Sequence, residues 1–219
     1  MSRNSYAVFG LGSFGGKLAL ELSKAGHNVL VCDVDHAQID EFCDKVAEAI
    51  VCDVSNPDVV HDLDVAKFDA VILCMSTCFE KQILALTLLK KEGAKRVLAK
   101  AVSSIQKDIL FRLGADEVIQ PEENAAERLS RRLSMENIRD IVDFKGSAIA
   151  EVLVPEPLTG KKLRELDMRN KYGITVLLVR KPERTEEISP TPDMKLEKGD
   201  TLTVFGSREA IVKLFKKEF

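Results

Sequence analysis

The residues best suited to chemistry in this sequence stand together near its start. Gly10-Leu11-Gly12-Ser13-Phe14-Gly15 has the spacing GxGxxG. It lies between an apolar run that reads as a strand, YAVFG (6–10), and an amphipathic stretch from Gly15 to Ala25 that reads as a helix. In that setting the first glycine permits a tight turn. The second lets the backbone approach a pyrophosphate, and the third lets helix and strand pack closely. The helix N-terminus then offers free N–H groups and a partial positive charge to phosphates. Asp33 follows Gly15 by 18 residues, at the end of a second apolar run, NVLVCD (28–33). A carboxylate at that point accepts both ribose hydroxyls of an adenosine and repels a 2′-phosphate. Asp35, across Val34, adds to the repulsion and disfavours NADP. The motif is not a P-loop: Lys17 follows Gly16, but Leu11 holds the upstream glycine position and Leu18 replaces the magnesium-binding Ser/Thr.

Ligands of an open parallel sheet sit at the carboxyl ends of its strands, so the remaining strand ends supply further candidates. Cys52, Asp53 and Val54 follow the third apolar run, where an adenine edge would lie. Cys74, Met75 and Ser76 follow the fourth. Lys100 ends the fifth and reads either as a solvated strand-end lysine or as a phosphate ligand. Pro121-Glu122 ends the sixth; proline at a helix start with acids in its first turn is an ordinary, dipole-favoured arrangement. Groups for catalysis are thin. His27, His36 and His61 have no evident acid partner, no GxSxG occurs, and Tyr172 is followed four residues on by Val176 instead of Lys. Five cysteines without a CxxC pair, and no histidine at ligand spacing to them, argue for reduced thiols rather than zinc. Cys74 and Cys78 are four apart, a spacing compatible with one helical face.

These residues need a scaffold, and the first 120 positions describe one. Short apolar runs at 6–10, 28–33, 48–53, 69–75, 96–101 and 116–120 alternate with helical patterns near 15–25, 36–46, 80–91 and 104–113. Continuous apolar strands separated by helices are the pattern of a parallel sheet covered on both faces, a doubly wound α/β domain. The periodicity of Leu129, Leu133, Ile138, Ile141 and Val142 then predicts a long helix over 121–143. Beyond Gly146 the pattern changes to strands at 147–155, 173–180 and 200–206, helical stretches at 160–171 and 207–217, and a proline-bearing hairpin edge, TEEISPTPD. The expected organisation is a nucleotide-binding domain over 1–135, a linking helix over 136–145 and a small α+β domain over 146–219.

Composition excludes several classes. Of 219 residues, 45% are hydrophobic and 31% charged, which is enough for a packed core and no case for disorder. Lys plus Arg is 32 against 35 for Asp plus Glu, a net charge of −3, so the basic surplus of a nucleic-acid binder is missing. Without Trp and with 5% aromatics, base-stacking platforms are not expected either. No apolar run approaches the roughly 18 residues of a membrane span. MSRNSYAVFG does not read as a signal peptide, because a strand-like run begins at once. A cytoplasmic chain is expected.

With GLGSFGG at the first turn, VCDVD at strand two, VIQPEE at strand six and RNKYGITVL in the second domain, the sequence resembles the RCK (KTN) family along essentially its whole length. It is most similar to the short KtrA/TrkA type of cytosolic potassium-uptake regulator. The resemblance implies a non-catalytic sensor: dimers that build a homo-octameric ring at the inner face of the membrane on a TrkH/KtrB-type transporter subunit. ATP, ADP or NAD(H) would be held by the N-terminal domain. It further implies that Gly10, Gly12 and Gly15 form the phosphate turn, Asp33 the ribose acid, Asp53 the adenine-side strand end and Lys100 a phosphate-side lysine. Glu122 would lie near a γ-phosphate and its Mg or Ca ion. Relatives often carry Arg where Ser13 stands, which weakens discrimination of ATP from ADP. Some bind cyclic di-AMP in the C-terminal domain, where Arg169, Asn170, Tyr172, Ile174 and Pro190 occupy the corresponding region. The competing class is an NAD-dependent oxidoreductase, which would need a paired acid and base that the second domain does not supply.

Overall fold

In a computed structural model, residues 3–75, 78–135, 137–182 and 187–215 are described. The chain divides into two units, 1–124 and 125–219. The first unit contains strands β1 (Ser5–Phe9), β2 (Asn28–Asp33), β3 (Glu48–Val51), β4 (Ala70–Leu73), β5 (Val97–Lys100) and β6 (Glu117–Ile119). All pair in parallel, in the order β3-β2-β1-β4-β5-β6. The order reverses between β1 and β4, which opens a crevice at the strand ends beside β1.

Both faces of this sheet are buried, which is why its strands are apolar throughout rather than alternating. Val8, Val29, Val31 and Ile72 pack on one side with Ala19 of α1 (Ser13–Lys24) and Ile39 of α2 (His36–Asp40). Ala7, Phe9, Leu30 and Leu73 pack on the other with Val60 of α3 (Pro57–Asp62), Leu86 and Leu89 of α4 (Phe79–Lys91) and Leu110 of α5 (Ser104–Arg112). Leu73, Leu86, Leu89 and Leu110 are fully buried, each contributing about 1.5–3 kcal/mol relative to exposure. The helix expected over 36–46 stops at Asp40. Phe42 still turns inward, because Phe42 N–H bonds the Ile39 carbonyl (2.9 Å) and Lys45 N–H the Phe42 carbonyl (2.9 Å) as successive turns.

Helix α6 (Pro121–Ser134) contains the division between the units. The helix expected to run on to 143 does not. Strand β7 (Ile138–Phe144) replaces it, and with it the linking helix expected over 136–145. β7 pairs antiparallel with β8 (Ser147–Leu153) across the Gly146 turn, where φ is +82°. A register shift between Ile138 and Asp140 sends Ile138 and Ile141 inward three residues apart. That spacing mimics a helix face.

The second unit is a five-stranded antiparallel sheet, β10-β9-β11-β8-β7, completed by β9 (Thr175–Arg180), β10 (Glu187–Ile188) and β11 (Thr201–Gly206). β8 alternates buried and half-buried residues, as expected of a strand packed on one face. Its Ala148, Ala150 and Val152 meet Leu202, Val204, Leu196 and the α9 (Arg208–Phe215) residues Ile211, Leu214 and Phe215. The helical stretch expected over 160–171 is broken into α7 (Leu163–Leu166) and α8 (Met168–Tyr172) by Asp167, which sits in the left-handed region at φ 45°.

Candidate nucleotide-binding cleft

Each glycine of the first turn has a distinct reason to be there. Gly10 has φ +95°, and a Cβ on it would lie 2.8 Å from the backbone nitrogen of Met75. At Gly15 a Cβ would collide with the Gly10 carbonyl oxygen and approach the Cys74 Cβ to 2.9 Å. These two are required by the protein's own packing. Gly12 is not. It caps α1 at φ −55°, an ordinary region for any residue, and a Cβ there would meet nothing within 4 Å. The space beside it is the crevice itself, so the turn leaves room there for close approach of another group.

That crevice is a cavity of about 410 Å³ lined by Gly10, Gly12, Asp33, Val34, Asp35, Asp53, Val54, Cys52, Cys74 and Met75. Ten of the expected site residues are thus brought together at the ends of β1, β2, β3 and β4. The Asp33 carboxylate is aimed by two backbone bonds: Leu11 N–H donates to Oδ2 at 2.6 Å and Asp35 N–H to Oδ1 at 3.1 Å. Asp35 caps α2 by accepting from Ala37 N–H at 2.9 Å. Asp53 accepts from the Ser55 N–H (3.0 Å) and hydroxyl (2.6 Å) and from Lys81 Nζ (2.6 Å). The Lys81 bond, then the two from Ser55, hold its carboxyl down at about 2.

Other expected residues serve the turn or lie elsewhere. Leu11 and Phe14 direct their side chains into the core beneath α1. Ser13 is the exposed first residue of α1, and Gly15 provides the helix–strand contact. Ser76 lies outside the described residues. Lys100 is not in the cavity wall. Its buried side chain donates from Nζ to Glu122 Oε1 at 2.6 Å, while its carbonyl accepts from the buried Gln82 amide at 2.7 Å. The Lys100 hydrogen bond lowers the Glu122 carboxyl below its ordinary range. Among the described residues no group of three or more His, Cys, Asp or Glu side chains is arranged to hold a metal ion, at Glu122 or elsewhere. Within one chain, Glu122 is a salt-bridge partner.

Four residues line the cavity that the sequence did not single out for it: Cys32, Gln38, Cys78 and Lys81. Lys81 carried a signal. It is the third residue of α4, where the helix dipole favours acids over cations. Cys32 and Cys74 are buried thiols. Cys74 follows β4 and Cys78 precedes α4, so they share no helix face. Burial pushes Cys74 up to about 12, and contact with Cys52 together with burial raises Cys32. Both remain protonated near neutral pH and are poor nucleophiles. His27 packs edge-on to Tyr6, and exposed His61 pairs with Glu92 at 3.1 Å.

The C-terminal unit has a shallower depression of about 270 Å³ between Leu163, Arg164, Asp167, Met168 and Arg169 on one side and Ile174–Val176 and Pro190–Pro192 on the other. Arg169, Ile174 and Pro190 belong to it. Asn170 does not: its amide donates to Asp167 Oδ1 at 2.7 Å. Tyr172 stands exposed nearby in sequence but is not part of the lining.

Comparison with known proteins matches residues 6–121 to the TrkA-N domain and 149–218 to the TrkA-C domain. The chain belongs to the TrkA family. Ktr system potassium uptake protein A of Vibrio alginolyticus is 31% identical over 214 residues, 96% of each chain. Ktr system potassium uptake protein C of Bacillus subtilis is 28% identical over 216 residues, covering 98% of this chain and 97% of its own. Among solved structures, the GsuK RCK domain aligns with a TM-score of 0.67 at 18% identity over 99% of this chain and 48% of that one. The GsuK channel bound to NAD aligns with a TM-score of 0.66 at 18% identity, over 99% of this chain and 40% of that one. These likenesses speak for the RCK fold, and the chain spans about half or less of those longer polypeptides.

Proposed function

We propose that this chain is the nucleotide-binding regulatory subunit of a membrane potassium-uptake system and works as a sensor rather than an enzyme. The observation that carries the reading is the end-to-end similarity to Ktr potassium uptake proteins across both domains. The cavity supports its nucleotide half. Gly12 leaves room for a phosphate against the backbone, Asp33 is aimed to receive ribose hydroxyls, and Asp53 offers a carboxylate to the base. ADP, ATP and NAD(H) all contain the adenosine diphosphate unit that this arrangement accommodates.

The ligand-dependent step is a change in how copies of the chain pack. Val102, Ile105 and Phe111 in the first unit, and Leu133, Val142 and Phe144 in the second, are large apolar residues left exposed. Such surfaces support assembly, here into dimers and a homo-octameric ring seated on a TrkH/KtrB-type membrane subunit. Among the described residues no helix is long and apolar enough to cross a membrane, so the chain would act from the inner face through that partner. Regulation requires two ring shapes that bind nucleotide unequally. With ATP, a Mg or Ca ion would meet at Glu122 a carboxylate whose Oε1 is paired with Lys100. In the C-terminal depression, Arg164 and Arg169 provide charge for a phosphodiester such as cyclic di-AMP.

The test is potassium flux into liposomes carrying the membrane subunit, with the purified chain added under ADP, ATP, NADH and magnesium conditions. The expected result is flux that depends on both chain and nucleotide. Indifference to the chain under every condition would reject the regulatory reading and favour an NAD-dependent oxidoreductase, which NADH turnover at about 1 per second or faster would then identify.

A further inference from the structure

The charge on the wall of the nucleotide cavity is unbalanced for its proposed ligand. Asp33, Asp35 and Asp53 line it, and among the described lining residues Lys81 is the one cation. A phosphate entering beside three carboxylates meets repulsion that turn N–H groups and the α1 dipole offset only in part.

Lys81 is built to supply the rest. It is rooted in the first turn of α4, the helix that follows β4, and the residues after β4 lie against the phosphate turn, since a Cβ on Gly10 would sit 2.8 Å from Met75 N. Its tip donates to Asp53 Oδ2 at 2.6 Å. Asp53 would keep other partners without it, because Oδ1 accepts from both the N–H and the hydroxyl of Ser55. The pair is open to water, with side chains 46% and 36% exposed, and exposed pairs hold weakly. A flexible four-carbon stem lets the ammonium change partners at small cost.

Taking the cavity as the nucleotide site, we infer that Lys81 is a phosphate-binding residue: on ligand entry its ammonium leaves Asp53 for a phosphate oxygen of an adenosine diphosphate unit, freeing Asp53 to accept an amino N–H of the base. The ligand itself thereby breaks the contact that bridges the two sides of the cavity.

The experiment is calorimetry of the full chain with ADP, NAD and adenosine, comparing wild type, Lys81→Met and Lys81→Arg, with thermal melts to verify folding. Loss of one charge-assisted contact should weaken ADP and NAD about tenfold to a hundredfold in Lys81→Met. Adenosine should change less than about threefold, and Lys81→Arg should retain ADP binding. The salt dependence of ADP affinity should also become shallower in Lys81→Met, a readout that decides the matter if adenosine binds too weakly to measure. Equal losses for ADP and adenosine would make Lys81 a strut for Asp53, and unchanged ADP affinity would make it a bystander; either overturns the inference while leaving the nucleotide site standing. Wild type that binds neither ADP nor NAD would remove the site and the inference together.

Discussion

Replacing Gly12 with valine separates ligand binding from folding more cleanly than any other change in the cleft. On the folded state two small terms oppose each other. An N-cap prefers glycine to valine by up to about 1 kcal/mol. Removing a glycine from the unfolded chain returns about 0.4–1 kcal/mol, because φ −55° is open to any residue. No packing term enters, since nothing lies within 4 Å of the new Cβ. Stability should therefore change by less than about 1 kcal/mol, a few degrees in melting temperature. Binding should not escape. An isopropyl group fills the space where a phosphate would meet the turn, and each charge-assisted hydrogen bond lost costs about 1.5–3 kcal/mol, roughly tenfold to a hundredfold in Kd. The control is Gly15→Ala. Its Cβ would strike the Gly10 carbonyl, so it should lose about 1–3 kcal/mol of stability through overpacking. Calorimetry with ADP, ATP and NAD checks the first variant and denaturant melts the second. ADP affinity within about twofold of wild type in a normally folded Gly12→Val would refute the argument that this glycine exists for the ligand.

Three further outcomes are expected. Asp53, held down at about 2 by Lys81 and Ser55, stabilises the fold above the ordinary Asp range near ~4 and loses that contribution as pH falls through about 2. Half-exposure limits it to about 1 kcal/mol, so urea melts of wild type and Asp53→Asn should differ by that amount at pH 6 to 8, roughly, and converge near pH 2. Glu122→Gln removes the carboxylate from the buried Lys100 ammonium and should cost about 1 kcal/mol in melts, with Mg-dependent ATP effects weakened and ADP affinity kept. Ser13→Arg, at the exposed start of α1, should raise the ATP-to-ADP affinity ratio about tenfold in calorimetry by giving a third phosphate a guanidinium partner.

The parallel sheet was legible because burial on both faces writes itself as short apolar runs, and β2 matches its run NVLVCD end to end. The 121–143 stretch misled for a physical reason. No glycine or proline interrupts it between Pro121 and Gly146, and the register shift in β7 gives Ile138 and Ile141 a helical interval. Asp167 was invisible as a helix break because a left-handed aspartate carries no more sequence signal than a right-handed one. Within the cleft, glycines and strand-end acids were readable because the turn fixes their positions along the chain. Lys81 carried only the weak signal of a cation in a helix's first turn, since its place in the wall depends on the contact with Asp53, 28 residues earlier, a tertiary fact. Lys100 was read as a strand-end cation but not as Glu122's partner, because 22 residues separate two groups that only the adjacent ends of β5 and β6 bring together.

Asp33 is held by the N–H groups of Leu11 and Asp35, and this divides the cleft into parts that would age differently in descendants of this gene. A lineage that no longer used a nucleotide would still be constrained at Asp33, since losing it would leave those two donors without their acceptor and loosen the turn. Gly10 and Gly15 would persist because a Cβ on either would strike neighbouring backbone. Gly12 would be free to drift, because nothing lies within 4 Å of a Cβ there, and Lys81 would be held only by its exposed pair with Asp53. Among divergent copies, then, the surviving aspartate would mark ancestry, while glycine at position 12 would mark present use under the proposed function.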